Sequence, residues 1–150
     1  MELSTVFLQL TTATLGSLGF SLIFNVRGKQ LFYTTLGGFL SWAVYLLLQP
    51  TGLEDVARYF ISSVVITIYA EICARRRRTP ATVFLVSAAI PLIPGSNLYA
   101  TMVYAVHLNG PQFIQQGLHT LLLAGSISAG IILVSTVMHA LTAYHLRRSA

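Results

Sequence analysis

Acidic side chains are nearly missing from this sequence: 150 residues carry four Asp or Glu against nine Lys or Arg, and charged residues make up only 9% of the total. Soluble domains devote roughly a quarter of their residues to charge, so these few cannot cover a water-facing surface. A soluble globule is excluded. Cysteine is scarcer still, since Cys73 stands alone. It closes no intrachain disulfide and offers no thiolate cluster, so neither a metal nor any other cofactor is expected. The net charge of +5 does not point to nucleic acid, because the basic residues form short clusters between apolar runs without interleaved aromatics.

What is present is apolar. Hydrophobic residues make up 55% of the chain and the mean hydropathy is +0.72. At about 20 apolar residues per bilayer crossing, the charges and polar breaks divide the chain into five crossings, over about 6–24, 31–48, 54–74, 81–105 and 118–144. The fold class is all-α: one polytopic transmembrane domain over residues 1–150. Asn25 to Gln30 make the first connection, and Thr51-Gly52-Leu53-Glu54 has the form of a capping box that starts the third helix. Thr79-Pro80 ends that helix, and His107 to Gly117 separate the last two crossings. Glu2 stands where a secretory signal would carry basic residues, so the first crossing is read as part of the mature chain.

The basic residues orient these crossings. Arg27 and Lys29 follow the first, Arg75, Arg76, Arg77 and Arg78 the third, and Arg147 and Arg148 the fifth, which puts eight of the nine on one side. The positive-inside rule places that side in the cytoplasm, with the N-terminus outside. Arg58, the ninth, lies across the membrane within local pairing distance of Glu54 and Asp55. The four-arginine run is read as a topology anchor that also attracts anionic lipid headgroups.

The fourth crossing is not a plain helix. Pro91, Pro94 and Gly95 fall near its middle, and each interior proline removes an amide donor and clashes with the preceding turn, at about 3 kcal/mol. The expected result is a break close to the bilayer midplane, with Ser96 or Asn97 capping the second half-helix. The free amides and dipole of that half-helix favour an anionic group, and the carbonyls of the first half suit a cation. A small zwitterion or a small dicarboxylate fits such a site. The alternative is a proline kink that serves packing alone.

Few other residues suggest chemistry. Glu71 is the one acid within a crossing, which makes it a candidate proton carrier, although its position four residues before Arg75 also suits a surface ion pair. His139 lies within the fifth crossing and is the second coupling candidate, while the four histidines show no metal-ligand spacing. Trp42, Tyr45 and Tyr59 are read with the other aromatics as interface residues. Gly37-Gly38, and Gly125 with Ala129 and Ser126 with Gly130, have the small-residue spacing that lets helices approach. Thr11, Thr12, Thr14 and Ser17 are the hydroxyls best placed for a polar path. No Ser, His and acid share a depth, so no enzyme is expected.

The run Pro91-Leu92-Ile93-Pro94-Gly95 followed by Tyr99, in the fourth of five short crossings, resembles the threonine/serine exporter family, in particular its C-terminal five-span module. Gly19-Phe20, Phe24-Asn25-Val26, Gly37-Gly38 and the arginine cluster extend the resemblance over most of the chain, with Arg27 where related chains often carry proline. The resemblance implies proton-driven export of threonine and serine, or of succinate in some two-chain members, from the bacterial inner membrane. It implies a substrate held between Pro91 and Tyr99. It also implies a second, related five-span subunit, since two copies inserted the same way cannot form an inverted pair, and the pair is open to higher assembly. A membrane subunit that assists assembly without transporting is the rival from another class.

Overall fold

A computed structural model describes residues 3–148, and of 142–148 it describes the backbone alone. Glu2 and the side chains of Tyr144, His145, Arg147 and Arg148 therefore lie outside the described residues. The chain is all-helical: α1 (Leu3–Ile23), α2 (Lys29–Leu48), α3 (Asp55–Arg77), α4 (Ala81–Ala89), α5 (Gly95–Val106) and α6 (Gly110–Arg148). By length and composition α1, α2, α3 and α6 can each cross a membrane, and α4 with α5, bent by 56° at their junction, can together make a fifth crossing.

The helix ends follow from local chemistry. After α1, Asn25 takes a left-handed conformation (φ 57°) and the Val26 amide donates back to the Ser21 carbonyl at 2.9 Å. Arg78 (φ 51°) ends α3 in the same way, with Thr79 donating to Ala74 at 3.2 Å, and Leu108 (φ 56°) follows α5 with Asn109 donating to Tyr104 at 3.0 Å. Each is the six-to-one closure that satisfies an orphan carbonyl at a helix end.

Two boundaries differ from the sequence reading. The capping box does not form, because Gln49–Thr51 makes a 3-10 turn on the end of α2 and Gly52 reverses the chain at φ 73°. The Thr51 hydroxyl then donates to the Leu48 carbonyl at 2.6 Å, and α3 starts at Asp55 after Glu54. The last helix starts at Gly110 rather than near 118, and runs for 39 residues. Pro111 lies in its first turn, where a missing amide leaves no bond unmade, and Gln112, Gln115 and Gln116 extend the helix beyond its apolar part.

At the centre, α3 packs against α2, α4 and α6, while α1 lies on α2 and α5 on α6. Small and hydroxylated side chains dominate the contacts, as expected where lipid removes the hydrophobic drive between helices. Ser17, Ser21, Thr34, Ser41, Ser62, Ser63 and Ser87 are fully buried, and Ser21 donates to Thr34 at 2.9 Å between α1 and α2. Gly38 admits Ser17, Gly37 admits Ala88, and Gly130 admits Ser63 together with the Phe60 carbonyl. Gly125 meets nothing within 4 Å, so the small-residue pattern on α6 is used at Gly130 and not at Gly125.

The basic turns gather at one end. Gln30 donates to the Thr79 hydroxyl at 2.9 Å, Arg77 donates to the Tyr33 hydroxyl with its guanidinium 4.3 Å from that ring centroid, and Arg75 donates to the Met138 carbonyl at 3.2 Å. The α1–α2 turn, the α3–α4 turn and the late part of α6 therefore share one level. Asp55 and Arg58 start α3 at the opposite end.

Candidate functional site

Between α4 and α5 the backbone leaves the helix completely. Ile90–Leu92 tighten into a 3-10 turn, Ile93 is extended (ψ 122°), and Pro94 precedes the first turn of α5. Pro91 withholds the amide that the Ser87 carbonyl would accept in a helix, and the fully buried Ser87 hydroxyl has no hydrogen-bond partner. The Gly95 amide turns back to the Ile93 carbonyl at 2.7 Å, and helical bonding resumes with Leu98 donating to Pro94 at 3.0 Å. In that register the amides of Ser96 and Asn97 find no backbone acceptor among the described residues. They are the positive end of a helix of 12 residues.

Ser96 and Asn97 do not cap α5. Pro94 occupies the cap position and no side chain bonds the first turn, because helical geometry already begins at Gly95. Both residues line a hollow beside the break.

Two adjoining hollows meet at this break. One, of about 290 Å³, is lined by Gln9, Thr12, Ala13 and Gly16 of α1, Trp42 of α2, and Ile90 and Pro91. The other, of about 250 Å³, shares Gln9 and Trp42 and adds Tyr45, Leu46, Gln49, Asp55, Tyr59, Ser96 and Asn97. Together they make a crevice from the break between α4 and α5 toward the end of the molecule where α3 begins. Its wall is ordered by side-chain contacts. Trp42 donates to Gln9 at 3.3 Å and stacks on Tyr45 at 4.8 Å between centroids. Tyr45 packs against Tyr59 at 4.9 Å and donates to Asp55 at 3.1 Å. Asp55 is ion-paired with Arg58, whose guanidinium lies 5.2 Å from the Tyr45 centroid.

The crevice thus takes in Pro91, Ser96 and Asn97 of the expected segment, with Pro94 and Gly95 forming the break. Tyr99 is 71% exposed and lines neither hollow. Of the four hydroxyls read as a path, Thr12 reaches the crevice, Ser17 is buried against Gly38, and Thr11 and Thr14 border a separate apolar hollow with Phe7 and Phe39. Glu71 is half-buried and makes no ion pair with Arg75; among the described residues the one ion pair is Asp55–Arg58. His139 is exposed on α6, and neither it nor Glu71 lines the crevice. Arg75, Arg76 and Arg78 are exposed at the basic end.

Sequence reasoning missed Gln9, Trp42, Tyr45, Asp55 and Tyr59. Gln9 carried a usable signal, as the one amide side chain within the first crossing.

Discontinuous helices beside a hollow occur in secondary transporters, and comparison with known proteins points to a transporter family. The model of the family described as Threonine/Serine exporter, ThrE, matches residues 9–137. The chain belongs to the threonine/serine exporter family. That match takes in α2 to α5 whole, with the crevice-lining part of α1 and most of α6. This is a transporter family and not an enzyme family, so the chain is a multi-pass membrane protein of transport. No solved structure matches it.

Proposed function

We propose that this chain is one subunit of a secondary exporter of small amino acids such as threonine and serine, and that the solute binds in the crevice at the break. The observation that carries the reading is the meeting of unbonded amides at Ser96 and Asn97 with the polar wall of α1, α2 and α3. The carboxylate of the solute sits on those amides, which a helix dipole favours. A small dicarboxylate such as succinate fits less well, because Asp55 lines the same crevice and repels a second carboxylate.

The orientation follows from charge. The end holding Arg27, Lys29 and Arg75 to Arg78 is cytoplasmic, so the crevice opens outward and the N-terminus lies outside. The membrane is the bacterial inner membrane. A second five-span chain of opposite orientation completes the translocation path, which supplies the inverted relation that copies of one chain in one orientation lack. Export is driven by protons. Glu71, half-buried on the inner part of α3, is the better carrier on this chain, since His139 stands on an exposed face of α6.

Changing Ser96 and Asn97 together to alanine keeps the backbone amides and removes two side-chain partners. At about 1 kcal/mol per hydrogen bond, threonine export by the reconstituted complex is expected to fall about 10-fold or more at normal expression. Unchanged export leaves these two side chains without a part in transport and favours an assembly role for this chain.

A further inference from the structure

We propose that Asp55 recognises the ammonium group of the transported amino acid and so sets the preference for a zwitterion over a dicarboxylate. The inference rests on the crevice being the solute site, and adds the residue that reads the second charge.

The two oxygens of Asp55 are used unequally. Oδ1 accepts from the Tyr45 hydroxyl at 3.1 Å and also takes the ion pair with Arg58 Nη2. No donor among the described residues reaches Oδ2. The Asp55 side chain is 41% exposed while that of Arg58 is 14% exposed, and the wall of the crevice takes in Asp55 but not Arg58. The anionic partner of the pair therefore faces the hollow and the cationic partner is withdrawn from it. Arg58 acts as a positioning residue: its ion pair, and its stacking on the Tyr45 ring, hold the carboxylate at the wall.

One hollow of about 250 Å³ is thus lined by Ser96 and Asn97, whose backbone amides have no backbone acceptor among the described residues, and by Asp55, whose Oδ2 has spare accepting capacity. An α-amino acid carries a group for each. An ammonium donates to Oδ2 in a charge-assisted hydrogen bond. Removing the amine from the solute leaves Asp55 unanswered, and a second carboxylate in its place meets repulsion.

The test measures equilibrium binding of three probes to the full chain, purified from membranes in the complex it forms: threonine, 3-hydroxybutyrate as its deaminated analogue, and succinate. In the unaltered protein threonine is expected to bind at least about 10-fold more tightly than either other probe. Asp55→Asn is expected to remove that advantage, weakening threonine about 10-fold or more while 3-hydroxybutyrate changes less than about 2-fold. Asp55→Glu keeps the charge and is expected to restore part of the preference. Should Asp55→Asn fail to fold with Arg58 unpaired, Asp55→Asn with Arg58→Gln removes the pair as a unit and is read in the same way.

Equal binding of threonine and 3-hydroxybutyrate by the unaltered protein overturns the inference, as does equal weakening of both by Asp55→Asn. In either case the complex still binds solute and the functional reading survives. If the unaltered complex binds none of the three, the functional reading fails and this inference fails with it.

Discussion

Replacing Asn97 by aspartate is expected to abolish export while leaving the protein folded. Asn97 lies in the first turn of α5, where a negative side chain interacts favourably with the helix dipole by about 0.3–1 kcal/mol. The substitution changes little in size, and among the described residues none loses a hydrogen bond from the Asn97 side chain. A new carboxylate there occupies the amides that the solute carboxylate needs and repels it. At about 4 Å and intermediate dielectric, two like charges repel by about 4 kcal/mol, so flux should fall on the order of 100-fold or more. Thermal unfolding in detergent is expected to shift upward or not at all. Loss of folded protein would make Asn97 a packing residue, and retained flux would move the solute elsewhere.

The second large effect concerns the seam between α1 and α2. A Cβ placed on Gly38 would lie 1.8 Å from the Ser17 hydroxyl oxygen and 2.3 Å from the Ser17 Cβ, so no change of side-chain rotamer relieves the clash. The helices must separate. Overpacking of this kind costs about 1–3 kcal/mol, and here it also disturbs the neighbouring Ser21–Thr34 hydrogen bond. Gly38→Ala is expected to lower the midpoint of thermal unfolding by several degrees and to reduce the yield of folded protein. Adding Ser17→Gly removes the obstructing atoms and should recover most of the loss. Independent, additive effects of the two changes would show that the seam is not the close contact described.

Much of the fold was written in the pattern of charge and hydropathy. Long uncharged stretches marked the crossings because burying a charge in lipid is expensive, and Pro91, Pro94 and Gly95 marked the break because no helix accommodates that run. The boundaries that were misread depend on competition among local signals. Thr51 had the right spacing for a capping box, but Pro50 and Gly52 committed its hydroxyl to the end of α2. Gln112, Gln115 and Gln116 looked like a connection by polarity, yet glutamine extends a helix readily.

The site was legible only in part. Pro91, Ser96 and Asn97 belong to one short segment, so their proximity could be read along the chain. Gln9 and Trp42 come from different helices, and their meeting depends on the glycine-mediated approach of α1 to α2. Asp55 and Arg58 were paired correctly by spacing, but which of them faces a hollow is decided by how α3 packs on α2. Trp42 and Tyr45 resembled interfacial anchors in composition, and only tertiary packing turns them into crevice wall.

We propose a crevice at the break between α4 and α5 that opens outward. Cys73, the one native cysteine, is buried and can be replaced by alanine, after which a single cysteine at position 97 serves as a probe. The decisive measurement is the labelling rate of Asn97→Cys in intact cells by a membrane-impermeant thiol reagent, with and without external threonine, against Leu121→Cys on the exposed face of α6. The account predicts rapid labelling at position 97, slowed by threonine, and none at position 121. Labelling at 97 as slow as at 121, unaffected by threonine, would mean a bent helix lying in lipid and would contradict it.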